Sequence, residues 1–216
     1  QRIEIYDNSH IQGAFAIGAM VVAGVNGFEK KEYRLFNIKE NSPLKHGGDD
    51  YAMLKEVLTR RINRLKNEPF RTPDLMIIDG GKGHMKIVSD VMNNLNMHIP
   101  FICMSKGAQR NSGCEQFHSL GKNSFTLDRN LSVMKYLQIL RDEVHNFAIK
   151  SHRNKRSVAI KVSSLDKIPG IGEARKKALL NYFGSFKEIT DATIKELTNI
   201  EGISKDLAKL IYDSLH

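Results

Sequence analysis

Several features that are scarce in this 216-residue sequence narrow its class. Its longest apolar runs, residues 15–25 and 75–79, are shorter than the roughly 18–20 residues that a membrane-spanning helix needs, so a spanning protein is excluded. No basic and then apolar stretch of the secretory kind opens the chain. Cys103 and Cys114 are too few for a disulfide framework or, alone, for a structural zinc site. We therefore expect a reducing, intracellular setting.

What is present indicates a folded and basic protein. Hydrophobic residues make up 41% of the chain, which is enough for a buried core, and the length suits one large domain or two small ones. Because the chain begins at Gln1 rather than Met, we expect it to be part of a longer protein. The 33 Lys and Arg residues against 24 Asp and Glu residues leave a net charge of +9. This charge suits nucleic-acid binding but also an ordinary solvated basic face.

The positive charge is unevenly distributed. Residues 163–216 contain eight basic and eight acidic side chains, so residues 1–162 carry the whole excess of +9. The most basic stretch, residues 141–162, has six basic and two acidic side chains. Such a stretch is either a solvated linker or a segment that neutralises phosphates. In the second case the candidate DNA-binding residues are Arg153, Lys155 and Arg156.

The order of predicted elements indicates a mixed α/β domain. Three strands come first, and Asn26-Gly27 between the last two is the strongest short signal for a hairpin. Helices then alternate with short apolar strands of the kind that a parallel sheet buries on both faces. The predicted segments are strands at 2–6, 15–25, 28–38, 75–79 and 101–106, a small hairpin at 117–127, and helices at 51–66, 84–96 and 131–150. This order predicts a mixed sheet flanked by helices, as in the ribonuclease H-like fold, although other mixed folds share parts of it.

A motif is repeated in the last part of the chain. Residues 168–172 (IPGIG) and 200–204 (IEGIS) are 32 residues apart, and each is predicted to be a tight turn between two helices. Glycine permits the turn and lets a phosphate approach the backbone, and the helix that follows begins with unpaired N–H groups. Two such turns can bind the phosphates of a duplex without reading its bases. The alternative is an ordinary pair of helical hairpins. The candidate DNA-binding residues are Gly170, Gly172 and Gly202.

The repeat resembles the tandem helix-hairpin-helix domain of DNA repair proteins. Its lack of net charge agrees with this, since the phosphate ligands would be backbone amides. Ser204 stands in the second copy where the first has Gly172. The two turns are therefore unequal candidates for phosphate binding.

Acidic residues lie where predicted strands end. Asp7 follows the first strand and Asp79 ends the strand at 75–79. If these strands pair side by side, the two carboxylates lie close together and repel each other unless a cation lies between them. Hard oxygen ligands suit Mg²⁺ or Mn²⁺, which would activate water and stabilise charge on a phosphate. His145, on a helix across the sheet, is a candidate third ligand or proton carrier.

Each of these residues also has an ordinary structural interpretation. Asp7 suits a turn, Asp79 suits an Asx turn, and His145 suits the solvated surface of a helix. Lys82 lies in a glycine-rich run, residues 80–83, and is a candidate phosphate contact. That run lacks the Gly-x-x-x-x-Gly-Lys-Ser/Thr spacing, so it does not predict a nucleotide-hydrolysing loop.

Five segments, in this order along the chain, resemble the UvrC family, the incision subunit of bacterial nucleotide excision repair. They are residues 7–13 (DNSHIQG), 48–52 (GDDYA), 78–83 (IDGGKG), 141–149 (RDEVHNFAI) and the tandem hairpins. The resemblance covers essentially the whole chain and corresponds to the C-terminal half of the family alone. It implies a ribonuclease H-like endonuclease domain at 1–155, a linker at 156–164 and a tandem helix-hairpin-helix domain at 165–216.

The resemblance also implies an activity, a cofactor and a set of site residues. The activity is divalent-metal-dependent cutting of the damaged DNA strand on the 5′ side of the lesion, within DNA excision and the SOS response. The family's catalytic triad falls on Asp7, Asp79 and His145, which would hold Mg²⁺ or Mn²⁺. Asp50 matches a further acidic position that the family ties to activity.

The implied partners are damaged double-stranded DNA and the UvrA/UvrB damage-recognition machinery, in the bacterial cytoplasm. UvrB would bind through a segment absent from this chain. One alternative is a non-catalytic DNA-binding scaffold of a repair complex. Another is a different ribonuclease H-like nuclease such as a junction resolvase, against which the tandem hairpins argue.

Overall fold

The chain divides into two compact units, Gln1–His152 and Arg153–His216. The computed structural model describes the backbone of residues 1–11, 14–38, 50–107 and 115–216, and in these ranges the side chains other than those of 10–11, 14–15, 152 and 154–162. Among the described residues, no helix combines the length and the apolar character needed to cross a membrane.

The first unit contains one mixed sheet. Its strands are β1 (Arg2–Ile11), β2 (Ala14–Gly24), β3 (Gly27–Phe28), β4 (Arg34–Asn37), β5 (Leu75–Asp79), β6 (Phe101–Ser105), β7 (Gln116–His118) and β8 (Phe125–Thr126). Their spatial order is β3-β2-β1-β5-β6-β7-β8, and β4 also pairs with β2. β1 is antiparallel to β2 and parallel to β5, so the strands that carry Asp7 and Asp79 do pair side by side. The predicted hairpin at 117–127 is formed by β7 and β8.

Helices cover both faces of this sheet. They are α1 (Asp50–Asn67), α2 (Lys82–Asn94) and α3 (Ser132–Ser164). Tyr6 and Ile78 belong to the buried cluster formed with α1 and α2, whereas Ile5 and Ile77 belong to the cluster formed with α3. Side chains alternate between the two faces along a strand, so Ile5-Tyr6 in β1 and Ile77-Ile78 in β5 supply apolar side chains to both faces. The predicted mixed sheet flanked by helices is therefore confirmed.

Two predicted strands differ from those in the structure. β1 does not end at residue 6 but continues to Ile11, because its polar second half remains paired with β2. The predicted strand at 28–38 is interrupted by a 3₁₀ turn, Lys30–Glu32, whose three residues are all charged and include no apolar side chain that could be buried. β3 and β4 lie on either side of this turn.

The last helix of the first unit is longer than predicted. Its predicted end was residue 150, but α3 continues to Ser164, because residues 151–164 contain no glycine or proline that would end a helix. The predicted linker at 156–164 is therefore helical. The domain limits at 155 and 165 stay a prediction. Near the start of this helix, Val133 is 48% exposed and Met134 is buried.

The second unit is helical, as predicted. After the end of α3 it contains a 3₁₀ turn (Leu165–Lys167), α4 (Glu173–Phe183), α5 (Phe186–Asp191), α6 (Ile194–Leu197) and α7 (Lys205–Leu215). These elements enclose their own core, which includes Leu165, Leu179 and Ile211. Gly170 and Gly202 have φ angles of +89° and +83°, in the left-handed region that favours glycine.

Candidate active site and nucleic-acid interface

Asp7 and His145 meet on the α3 face of the sheet. Asp7 is two residues from Ile5 along β1, so its side chain points toward the same helix. There, His145 Nδ1–H donates a hydrogen bond to Asp7 Oδ2 at 3.1 Å. The Asp7 side chain is 11% exposed, whereas that of His145 is 58% exposed. The pair therefore joins a buried carboxylate to an imidazole that a substrate in solvent can reach.

Asp79 lies beside Asp7 at the end of β5. β1 and β5 are paired in parallel up to Tyr6 and Ile78, and the two acids are the next residues on each strand. Burial raises the pKa of Asp79 to about 6, and the negative charge of Asp7 contributes to the rise. Burial also raises the pKa of Asp7, while the hydrogen bond from His145 opposes that rise. Shifts of this kind are typical of functional sites.

Asp50, at the start of α1, acts on Asp7. Its charge adds to the rise in the pKa of Asp7, and its carbonyl oxygen accepts a hydrogen bond from Asn8 Nδ2 at 3.4 Å. Helix α1 packs tightly on β2 at Gly18, where an added Cβ would lie 2.3 Å from Val57 Cγ2. A larger side chain at this position would therefore force α1 and β2 apart.

Two cations to which the sequence motifs assigned no role also act on these carboxylates. Arg141 is buried in α3, and its Nη1 donates to Glu115 Oε1 at 3.2 Å. Its charge lowers the pKa of Asp79, as does that of the exposed Lys106, which follows β6. The helical spacing of Arg141 and His145, four residues apart, is a signal that they share a face. For Lys106 the sequence offers no comparable signal.

The oxygen atoms of Asp7 and Asp79 suit a hard divalent cation. Asp7 raises the pKa of Asp79 because their charges repel, and a cation between them would remove that repulsion. Within the described parts of the chain, no three His, Cys, Asp or Glu side chains are grouped as a metal site. His145 Nδ1 is already bonded to Asp7. Nε2 is the ring nitrogen that this bond leaves able to bind a metal, since histidine ligands commonly donate their other N–H to a carboxylate.

The structure describes the side chains of two of the four basic residues that are predicted to contact DNA. Lys82 is the first residue of α2 and is exposed, and Arg153 is exposed on α3. Lys155 and Arg156 belong to the backbone of α3, and their side chains lie outside the described residues. Burial and, after it, the charge of Lys82 lower the pKa of His118 in β7.

The two hairpin turns differ at the start of the helix that follows each. Gly172 precedes α4 and offers no side-chain cap. Ser204 precedes α7, and its Oγ accepts a hydrogen bond from Leu207 N–H at 3.3 Å. One of the N–H groups in the first turn of α7 is thus already used, so the first hairpin presents more unpaired amides than the second.

Both units match known protein families. Residues 1–149 match the family model described as UvrC RNAse H endonuclease domain, and residues 162–216 match the SAM-like Helix-hairpin-helix tandem. UvrABC system protein C of Rickettsia bellii is 58% identical over 240 residues, which cover 100% of this chain and 38% of that protein. UvrABC system protein C of Rickettsia typhi is 62% identical over 225 residues, which cover 100% of this chain and 36% of that protein. The chain therefore spans little more than a third of the length of these curated relatives.

Among solved structures, the chain is similar to human ENDOV, with a TM-score of 0.39 and 17% sequence identity over 50% of this chain and 46% of that one.

Proposed function

The chain belongs to the UvrC family, and on that premise we propose that it provides the endonuclease site and the DNA-binding domain of a nucleotide excision repair enzyme. The proposed reaction is cutting of the damaged strand of double-stranded DNA on the 5′ side of the lesion. The UvrA/UvrB machinery would load the enzyme in the bacterial cytoplasm, and UvrB would bind a part of the protein that this chain does not include.

The Asp7–His145 pair beside Asp79 is the observation that carries this proposal. Because the Asp7 carboxylate accepts the Nδ1–H bond, the lone pair of His145 is on Nε2. An exposed imidazole oriented by a buried carboxylate is suited to take a proton from an attacking water. We therefore propose that His145 acts through Nε2, either as the proton carrier or as a third ligand of the cation.

Asp7 and Asp79 are the proposed ligands of Mg²⁺ or Mn²⁺. The bound cation would supply positive charge that polarises the phosphate and lowers the pKa of a water. Asp79 has a pKa of about 6, so it is ionised and able to bind a cation at neutral pH. Asp50 is proposed to assist by raising the pKa of Asp7, which strengthens its hydrogen bond with His145.

The tandem hairpins are proposed to bind the DNA backbone. Gly170, Gly172 and Gly202 would let phosphates approach backbone N–H groups, which carry no sequence information. The excess positive charge of residues 1–162 would attract the duplex over a longer range. The basic side chains proposed to contact the DNA backbone directly are those of Lys82, Arg153, Lys155 and Arg156.

Incision of a lesion-containing duplex tests the catalytic assignment. The complete enzyme carrying this chain is incubated with its repair partners and Mg²⁺, as wild type, Asp7→Asn and His145→Ala. We expect both variants to lose about 10²–10⁴-fold in the rate of 5′ incision while still binding DNA. Asp142→Asn, which changes an exposed acid on α3, is the matched control and should cut normally. Equal cutting by wild type and Asp7→Asn would favour the scaffold alternative.

Binding of Mn²⁺ tests the ligand assignment without any measurement of cutting. The 216-residue chain is titrated with Mn²⁺, and the free ion is followed by electron paramagnetic resonance. Asp7→Asn and Asp79→Asn are each expected to weaken binding about tenfold or more, because each removes one of two anionic ligands. Affinities equal to that of the wild type would rule these two residues out as the ligands.

A further inference from the structure

One guanidinium links the two hairpin turns of the second unit. Arg175, in the first turn of α4, donates from Nη1 to the carbonyl oxygen of Gly170 at 2.6 Å. It also donates from Nε to the carbonyl oxygen of Gly202 at 2.8 Å. Gly170 and Gly202 occupy equivalent positions in the two copies of the repeat, 32 residues apart. A single planar side chain therefore joins the same point of both turns.

The contact between the copies is reciprocal. Arg175 is five residues after Gly170, and Leu207 is five residues after Gly202. A Cβ added at Gly170 would lie 3.3 Å from Leu207 Cδ1, and one added at Gly202 would lie 3.8 Å from Arg175 Nε. Each helix that follows a turn thus places its equivalent side chain against the glycine of the other turn. Arg175 of the first copy makes two charged hydrogen bonds, whereas Leu207, its equivalent in the second copy, makes an apolar contact.

These hydrogen bonds determine how the turns are oriented. The N–H of Ile171 donates to Ile168 O at 3.0 Å, and the N–H of Ile203 donates to Ile200 O at 3.1 Å. The carbonyl of the same peptide group is in each case the one that Arg175 binds. Both peptide groups are therefore held on both sides. Since the guanidinium is rigid and planar, the distance between the two turns is held as well.

We propose that Arg175 is a positioning residue that keeps the two turns at the separation and orientation at which they bind the phosphates of one duplex. This inference rests on the proposed duplex binding by the tandem hairpins. Two turns that are already in place lose less freedom when DNA binds, and the affinity is higher for that reason. A lysine keeps the charge but has no planar fork that could hold both carbonyl oxygens in this geometry.

Duplex binding by the 216-residue chain tests the need for the guanidinium. Arg175→Lys is compared with wild type and with Lys177→Ala, a matched variant that removes an exposed charge from the same helix. We expect Arg175→Lys to weaken binding about tenfold, although no charge is lost, and Lys177→Ala to weaken it about twofold or less. Binding of Arg175→Lys with the affinity of the wild type would overturn the proposal, because charge alone would then suffice.

Amide hydrogen exchange in the absence of DNA separates positioning from direct phosphate contact. We expect Arg175→Lys, but not Lys177→Ala, to exchange the N–H groups of Ile171 and Ile203 about tenfold faster. Weaker DNA binding with unchanged exchange would mean that Arg175 binds a phosphate itself, and would refute the positioning role alone. A wild-type chain that does not bind duplex would instead refute the proposed function and, with it, this inference.

Discussion

At the scale of single residues, surroundings decide what an acidic side chain does. Asp79 is largely removed from water beside another carboxylate, and burial together with Asp7 raises its pKa to about 6. Glu196 lies at the surface at the start of α6, where hydrogen bonds from Thr193 lower its pKa. The first shift disfavours the charged form in the fold, and the second favours it. The acid with the destabilised charge is the one assigned to the active site.

The raised pKa of Asp79 predicts a stability that depends on pH. The folded value of about 6 exceeds the ordinary 3.8, so the stabilising contribution is complete below pH 4 and is lost as the pH rises through 6. The difference between these two pKa values corresponds to a change of about 3 kcal/mol at most in the free energy of unfolding. In the presence of EDTA, Asp79→Asn should therefore match wild type at pH 4 and be about 2 kcal/mol more stable at pH 7.5.

Urea denaturation followed by circular dichroism at the two pH values measures this effect. Asp142→Asn removes an exposed acid of α3 but keeps Asp79, so its free energy of unfolding should stay close to that of the wild type at both pH values. Parallel pH profiles of the free energy of unfolding for wild type and Asp79→Asn would contradict the prediction, because they would show that the ionised carboxylate does not destabilise the fold.

The buried ion pair between Glu4 and Arg61 leads to a second prediction at the scale of single residues. Glu4 is fully buried and accepts hydrogen bonds from Tyr6 Oη at 2.5 Å and from Arg61 Nε at 3.0 Å. Arg61→Ala would leave a buried carboxylate without its main cation and should lower the free energy of unfolding by about 3–5 kcal/mol. Arg64→Ala breaks only the exposed pair with Glu68 and should lower it by under about 0.5 kcal/mol. Thermal unfolding compares the two variants, and similar losses would contradict the prediction.

At the scale of elements, the two glycines of the first hairpin turn have separate tasks. Gly170 has a φ of +89°, so the turn itself requires glycine. Gly172 has a φ of −102°, which any residue adopts, and no atom lies within 4 Å of an added Cβ. Gly172 is the N-cap of α4, where glycine is favoured over alanine, but no contact within the fold requires it there. An open approach to its backbone agrees with the proposed binding of a phosphate.

This division predicts opposite results for two alanine variants. Gly170→Ala should lower the free energy of unfolding by about 1–2 kcal/mol, the cost of a left-handed conformation at a residue with a side chain. Gly172→Ala should stay within about 0.5 kcal/mol of wild type and yet weaken duplex binding, because its methyl group occupies the path of the phosphate. Thermal unfolding and fluorescence anisotropy with a labelled duplex measure the two properties. Unaltered binding by Gly172→Ala would remove the functional reason for that glycine.

At the scale of the whole molecule, charge and backbone binding are assigned to different parts of the chain. All of the +9 net charge belongs to residues 1–162, while residues 163–216 contain equal numbers of acids and bases. In the proposed function, the binding domain would depend on amide groups, and the remainder of the chain would attract DNA by charge. Attraction between net charges weakens steeply with salt.

Deletion of residues 165–216 tests this division. The shortened chain keeps α3 complete and keeps the +9 charge of residues 1–162. We expect its affinity for duplex DNA at about 150 mM salt to fall tenfold or more, and the remaining binding to be lost as salt increases further. Fluorescence anisotropy at several salt concentrations measures both quantities. An unchanged affinity would contradict a role of the hairpins in binding.

Although Asp7 lies within β1 rather than after it, the sequence by itself was enough to predict most of the order of elements, the helical repeat and the position of Asp79 at the end of its strand. These features depend on local patterns: the apolar spacing of α1, the continuous apolar run of β5 and the glycines of the two turns. Local patterns were less reliable where a partner decides the structure. β1 continues beyond Tyr6 because β2 pairs with it, which no pattern within β1 shows.

Only the tertiary structure decided which of these residues meet. Asp7 and His145 are 138 residues apart in the chain and come into contact because β1 is central and α3 covers the face on which Asp7 lies. The link from Arg175 to Gly202 likewise requires the two hairpins to be packed against each other. Periodicity identifies the buried side of one element, but contacts between distant residues depend on strand order and on the reach of each side chain, which no local pattern encodes.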